Sequence, residues 1–530
     1  MRRKRGLRAA VAFAAALLSL AFAATASADT FVVLYKSNAL PASAKSDVEK
    51  AGGSFVYGYG QIGVAIARSD SASFASKLSR DSRIEGVQST AGYASKLEEP
   101  AAQEADGPPA GDLPNEPATD ADTFSPLQWD MRQIHTPEAH ATTGGSPAVV
   151  VGDIDTGIDA AHPDLRENVS DADSADCLTG APIPGAAAAK DENGHGTHTA
   201  GTIAAGSNGY GIVGVAPKVQ VAAIRAGNAD GYFFPEAVIC SFIWAGDRQL
   251  DVTNNSYFAD PWEYNCHNDP AQQAIWKAEQ RAIKYAQNQG VTVVASAGND
   301  SDDVSHPSRD VTSPDFPPGS EQDRRITNAC VVIPLEISGV VGVSATGPTD
   351  QGTDAGQYPD NLKSFYSSYG VSAVDVTAPG GDSIFNDFAN SVEGRVLSTW
   401  PSDVPCIPGR EKNEPFPDPS YPVLHYCYAQ GTSMAAPHVA GVAALIISRY
   451  GDSSSPQNGK MRPGQVAALL SQTADPQACP DELPEGYDEF TGVNSGEPQE
   501  CSGGPGHNSW YGNGQVDALN AITHASGSGG

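Results

Sequence analysis

Gly431-Thr432-Ser433-Met434-Ala435-Ala436-Pro437-His438-Val439-Ala440-Gly441 is the stretch on which the reading of this 530-residue chain turns. Ser433 stands among small residues, the setting of a nucleophile at the mouth of a helix. Ala435 and Ala436 let such a helix pack close to its neighbours. Pro437 is read as part of the first turn, where its missing N–H has no partner to lose. The helix start aims backbone N–H groups and a positive dipole end at whatever the serine attacks.

Around this run, from Phe124 onward, short apolar strands alternate with helical stretches. Strands are expected at 148–154, 219–224, 251–256, 291–296 and 340–344, and helices at 197–205, 272–289, 434–450 and 463–472. That alternation predicts an α/β fold, a doubly wound, mostly parallel sheet with helices on both faces. The polar stretches 299–328, 381–425 and 478–508 interrupt it and are read as surface insertions.

Two more segments supply chemistry. In Val150-Val-Gly-Asp-Ile-Asp-Thr-Gly-Ile-Asp159, Asp155 ends a buried strand just before Thr156-Gly157 turns the chain, and open parallel sheets gather functional groups beyond such ends. In Asn193-Gly-His-Gly-Thr-His-Thr-Ala-Gly201, His195 follows Gly194 where a helix begins. A serine hydroxyl attacks only when a base takes its proton, and histidine titrates near neutrality. A buried carboxylate fixes the imidazole tautomer. Ala295-Ser-Ala-Gly-Asn299 adds a side-chain amide after a strand, able to donate to a developing oxyanion.

The order Asp155, His195, Ser433, together with Asn299, resembles the subtilisin-like serine proteases over about residues 124–523. The resemblance implies a peptidase that acts on polypeptides through an acyl-enzyme and needs no cofactor for its chemistry. It assigns Asp155, His195 and Ser433 as the triad, and Asn299 with the Ser433 N–H as the oxyanion hole. Asn254-Asn-Ser-Tyr-Phe258 matches the family's substrate-pairing strand, so Asn254, Ser256, Tyr257, Phe258, Ala297 and Gly298 are expected to bind substrate. The family usually has glycine where Phe258 stands, and Tyr257 and Phe258 are expected to narrow or reshape an apolar subsite. The resemblance also implies structural calcium on Asp164, Asn208 and the carbonyls of Gly206, Tyr210 and Ile212, completed by Asp120 or Asp122. Asp153 departs from the family's apolar residue. Strand alternation puts it on one face with Asp155. Two close buried carboxylates resist ionising together, so Asp153 either holds a proton or meets a cationic or hydrogen-bonding partner.

Other histidines read blandly. His198 shares a helix face with His195, but no third ligand motif follows to make a metal site, and His438 reads as structural. The rivals are a silent binding protein on the same fold, against which the intact triad stands, and an esterase or transferase, whose Gly-x-Ser-x-Gly elbow is missing around Ser433.

The N-terminus carries five basic residues, an apolar run over 9–24 and the small-residue site Ala26-Ser27-Ala28, so residues 1–28 read as a secretory signal. Residues 29–96 follow the pattern strand-helix-strand-strand-helix-strand of a small ferredoxin-like α+β unit. It resembles the family's inhibitor-type propeptide, which implies an intramolecular partner. Residues 97–122 form an acidic Pro/Ala/Gly linker with the cut between about Ser95 and Asp122, 123–525 the peptidase domain and 526–530 a tail. A net charge of -31 argues against nucleic acid or an anionic membrane as partner and fits a soluble extracellular monomer. Eight cysteines in an exported chain read as disulfides, with Cys406–Cys427 and Cys479–Cys501 the expected short loops. Asn168, Asn254 and Asn299 match the glycosylation pattern and are read as chance matches.

Overall fold

Side-chain alternation decides how the N-terminal unit sits. In this computed structural model it comprises β1 (Asp29–Tyr35), α1 (Ala44–Ala51), β2 (Ser54–Tyr59), β3 (Val64–Ser69), α2 (Phe74–Leu78) and β4 (Ile84–Ser89). The strands pair antiparallel in the order β2-β3-β1-β4. Phe31, Val33 and Tyr35 point to one face and pack with Val48, Phe74 and Leu78 of the unit's own helices. Val32, Leu34, Val64 and Ile66 point to the other face and join the core of the larger unit. The sheet is thus buried on both sides, which a unit this small could not achieve alone.

The structure describes residues 28–90, 113–259, 262–270, 272–348, 361–385, 392–454 and 459–524. The expected signal segment except Ala28, the linker and its cut as far as residue 112, and the 526–530 tail lie outside the described residues. Residues 113–122 lie along the larger unit: the Ala118 N–H donates to the His140 carbonyl, and the Gly144 N–H donates to that of Glu116.

The larger unit continues with β5 (Val150–Asp155), α3 (His195–Ala204), β6 (Gln220–Arg225), α4 (Pro235–Arg248), β7 (Val252–Asn255), α5 (Gln273–Asn288), β8 (Thr292–Ser296), β9 (Val340–Thr346) and β10 (Val376–Pro379). Next come β11 (Val396–Thr399), β12 (Glu411–Pro415), β13 (Val423–Ala429), α6 (Thr432–Tyr450) and α7 (Pro463–Thr473). The main sheet runs β10-β9-β8-β7-β5-β6, all parallel, and then through the short strands Ala175–Asp176 and Ile183–Pro184, of which only the last pairs antiparallel. Both faces are covered. Val151 packs in the cluster of α3, α6 and α7, and Ile154 in that of α4 and α5. This is the expected α/β layering, and it explains why the strands read as almost unbroken apolar runs.

Two expectations need correcting. The stretch 381–425 is not simply a surface insertion, because β11 is buried and pairs with β13, which pairs in turn with β12. Its polar residues have inward tasks: the Ser398 and Thr399 hydroxyls donate to the His198 and Thr197 carbonyls at 2.7 Å each. Pro437 is the sixth residue of α6, in its second turn rather than its first. There its missing N–H frees the Ser433 carbonyl, which accepts from the Ser256 hydroxyl at 3.0 Å instead. Four disulfides close the structure: the two expected, plus Cys177–Cys240 and Cys266–Cys330.

Helix α6 packs tightly on the loop after α3 because Gly441 has no side chain. A Cβ there would lie 2.5 Å from the Cβ of buried Val215, whereas a Cβ on Gly464 in α7 would meet open space. Gly441→Ala is therefore expected to lower stability by about 1–3 kcal/mol through overpacking. Gly464→Ala should leave it unchanged or raise it by up to about 1 kcal/mol. Denaturant unfolding of both variants checks the pair.

Candidate functional site

The carboxyl ends of β5, β7 and β8 meet the first turns of α3 and α6 in a cleft of about 410 Å³. Its walls include His195, Ser256, Tyr257, Phe258, Gly298, Asn299, Thr432 and Ser433. Asp155, fully buried at the end of β5, accepts from its own neighbour's Thr156 N–H at 2.7 Å. The same oxygen lies 2.8 Å from His195 Nδ1, which fixes a proton on that nitrogen and leaves Nε2 as the acceptor. His195 is the first residue of α3. Gly194 before it turns the chain with φ +107°, and Gly196 after it lets the helix touch the Asp155 turn. A Cβ on Gly196 would lie 2.2 Å from the Gly157 carbonyl oxygen.

Burial alone would pull the His195 imidazolium down. Asp155, by its charge and its hydrogen bond, outweighs it with Asp191 adding, and the net shift is upward from 6.5. Ser433 is the second residue of α6, and its hydroxyl donates to the Ser256 carbonyl at 3.0 Å. Asn299 follows β8, and its Oδ1 accepts from the Thr432 N–H at 2.9 Å and the Thr432 hydroxyl at 3.1 Å. With the carbonyl end anchored, the Nδ2 donors are left for another acceptor at the cleft wall.

The expected substrate-binding residues separate into two groups. Ser256, Tyr257, Phe258 and Gly298 line the cleft. Asn254 and Ala297 are buried, so their side chains do not reach it. Tyr257 stacks on Phe233 with centroids 4.3 Å apart and planes 4° from parallel. The cleft also takes Tyr232, Phe233, Asp230, Asp300, Asp315 and Val332. None of these was singled out from the sequence, because they come from loops that carry no motif. Burial, then the neighbouring Asp302 and Asp315, push the Asp300 carboxyl up to about 6.

His198 is buried, with Nε2 at 3.0 Å from the Cys427 carbonyl, and burial pulls its pKa down to about 3. His438 lies between the Met434 carbonyl at 2.7 Å and Asp130 at 3.0 Å. Both are structural, as read. Of the three glycosylation matches, Asn168 gives its amide to the Ala204 and Pro217 carbonyls, and Asn254 is buried.

Of the expected calcium ligands, the Asp164 and Asn208 side chains meet each other, and the sign of what converges on them speaks against a cation there. Asp164 accepts from the Tyr426 hydroxyl at 2.7 Å, the Asn208 Nδ2 at 3.0 Å and the Ile212 N–H at 3.3 Å. Asn208 turns its Oδ1 to the Tyr210 N–H instead. Asp122 accepts from the Asn208 N–H, and Asp120 pairs with His140. A cation needs oxygen acceptors aimed at one point; here hydrogen-bond donors are aimed at the carboxylate. Tyr426, on β13, ties that strand to the loops beside Asp164. Chelator is therefore expected to leave the melting temperature unchanged. Tyr426→Phe should lower stability by about 1–3 kcal/mol, since it strips a donor from a buried carboxyl. Calorimetry with and without chelator, on both proteins, checks this.

Comparison with known proteins agrees with the geometry. The Peptidase_S8 model, described as the subtilase family, matches residues 146–514. Subtilisin BL from Lederbergia lenta is 29% identical over 321 residues, 60% of this chain and 84% of that protein. Subtilisin DY from Bacillus licheniformis is 30% identical over 327 residues, 62% of this chain and 83% of that protein. The match spans 59% of the length of M-protease from Shouchella clausii (strain KSM-K16). In fold, the chain is similar to the epidermin leader peptide processing serine protease (EpiP) of Staphylococcus aureus. The TM-score is 0.61 at 21% identity, over 94% of this chain and 99% of that one. With the family model matching residues 146–514, most of the chain, the chain belongs to the subtilase family of serine endopeptidases.

Proposed function

We propose that this chain is a secreted endopeptidase made as an autoprocessing proenzyme, with Ser433 as nucleophile, His195 as base and Asp155 as its orienter. The observation that carries the reading is the 2.8 Å contact between Asp155 and His195 on the wall of the cleft that Ser433 also lines. Peptide adds as an extended strand along the segment after β7. Ser433 first swings its hydroxyl from the Ser256 carbonyl toward His195 Nε2. His195 takes the proton as Ser433 Oγ bonds to the peptide carbonyl carbon. The oxyanion is held by the Asn299 Nδ2 and the Ser433 N–H, the former worth about 3 kcal/mol by the subtilisin precedent. His195 then gives its proton to the leaving amine, and water hydrolyses the acyl-enzyme by the same steps.

The N-terminal unit acts as the intramolecular inhibitor. Arg281 of α5 donates to the Tyr35 and Ile62 carbonyls at 2.8 and 3.0 Å, and Gln88 accepts from the first N–H groups of α5. These contacts hold it on the peptidase until the chain is cut between it and Asp122. No helix among the described residues is long and apolar enough to cross a membrane.

Expressed side by side, the native chain should lose the N-terminal unit and cleave a mixed peptide library, while Ser433→Ala keeps the unit and cleaves nothing. Intact mass and library digestion report both, and equal cleavage by the two would remove Ser433 from the mechanism. For pH, the sign is set by His195, which must be neutral to accept a proton and whose pKa lies above 6.5. The kcat/KM should therefore climb through an apparent pKa above that value. Asp155→Asn should move this limb down and cost about 10⁴-fold in kcat. A pH-rate profile of both enzymes reads the limb directly.

A further inference from the structure

Asp153 is the carboxyl of β5 that the reaction leaves without a task. It lies on β5 two residues before Asp155, fully buried, on the face covered by α3 and α6. Its Oδ1 accepts from Asn254 Nδ2 at 2.9 Å, and its Oδ2 lies 2.8 Å from Thr199 Oγ1. Among the described residues no Lys or Arg pairs with it.

The hydrogens around it can be counted. Asn254 Nδ2 also reaches Ser256 Oγ at 3.1 Å, which uses its two protons. Ser256 Oγ donates its one proton to the Ser433 carbonyl, the group released by Pro437. On the other side, Thr199 Oγ1 lies 3.0 Å from the Gly196 carbonyl oxygen as well as 2.8 Å from Asp153. Asp153 Oδ2, Thr199 Oγ1 and Gly196 O lie in a row, and threonine has one proton for the two contacts. A proton on Asp153 makes both of them hydrogen bonds.

We propose that Asp153 is a neutral carboxylic acid and a positioning residue, tying the first turns of the His195 and Ser433 helices together through one chain of hydrogen bonds whose donors point outward from Asn254. That chain runs from the Gly196 carbonyl through Thr199, Asp153, Asn254 and Ser256 to the Ser433 carbonyl. An apolar residue at 153 could not make it, and an ionised one would set two acceptors against each other at Gly196. Burial, and then the charge of Asp155, push the Asp153 carboxyl well above the usual carboxylate range, while the Asn254 and Thr199 bonds and His195 oppose this. The other ionisable groups on the elements packed against β5 are engaged or distant. His198 meets carbonyls, Arg225 pairs with Glu192, His438 pairs with Asp130, and Arg449 and Tyr450 sit at the far end of α6. A neutral Asp153 leaves Asp155 as the carboxylate that serves His195.

The proposal rests on the peptidase reading, and Ser433→Ala tests that reading separately. With the native chain active and Ser433→Ala silent, Asp153→Ala is expected to lower kcat by about tenfold with a smaller change in KM, since it leaves Asn254 and Thr199 without their partner. Asp153→Asn, which offers one donor and one acceptor, should recover most of that loss and leave the acid limb of the pH-rate profile where it was. Infrared difference spectra of the native protein should show a protonated-carboxyl band that Asp153→Asn removes. An acid limb that falls in Asp153→Asn would mean that a negative charge beside His195 had been deleted, which overturns the neutral acid. Asparagine no better than alanine, or alanine equal to the native enzyme, overturns the positioning role. If Asp153→Ala does not fold, the asparagine profile and the infrared band still decide.

Discussion

Asp155 can hold His195 at 2.8 Å because two stretches of backbone touch. Gly157 takes a positive φ in the turn after β5, and a Cβ there would lie 2.4 Å from the Ala189 carbonyl oxygen. Gly196 rests on Gly157 with room for a hydrogen only. A side chain on Gly196 would wedge the helix away from the turn after β5, one on Gly157 would push off the 189–191 loop that leads into it, and proton transfer falls steeply with misplacement of about 1 Å. The sheet brings the two elements near one another, and the glycines bring them into register.

The second axis of the site is α6. It starts at the cleft with Ser433 and runs back through the core beside Val215. Small residues let it lie close to the sheet, and Pro437 opens its backbone ladder where Ser256 can reach in. The Ser433 carbonyl is thereby tied to the segment after β7, and its hydroxyl donates to the same segment. Ser433, the segment after β7 and β5 are thus linked by hydrogen bonds, a preorganisation that suits the proposed acyl transfer. The chain uses hydrogen bonds for a similar purpose at Asp164, where the Tyr426 hydroxyl and backbone donors satisfy a buried carboxyl that the family resemblance would have given to an ion. Burial lifts that carboxyl to about 7, so it is no strong competitor for cations.

Much of the fold was legible because the sheet is parallel and buried on both sides. Such strands carry unbroken apolar runs, and β5 to β9 were found within a few residues. Strand β11 was missed for the opposite reason: its serine and threonine face inward, and their hydroxyls satisfy helix carbonyls. Helix α4 was not anticipated either, since its buried residues extend round most of its surface and leave little amphipathic period.

The sequence by itself determined which residues are proposed to carry the chemistry. Asp155, His195, Ser433 and Asn299 sit in short local patterns, because a strand end, a helix start and a tight turn each demand small residues at fixed offsets. It also showed that Asp153 was out of place among apolar neighbours. Tertiary structure alone decided what surrounds those groups: that Asn254 turns inward to Asp153 while Phe233 and Asp300 line the cleft, and that donors rather than acceptors gather at Asp164. Those facts depend on residues far apart in the chain meeting at particular distances and angles. The direction of a hydrogen bond belongs to the pair that makes it, and neither partner's place in the sequence records it.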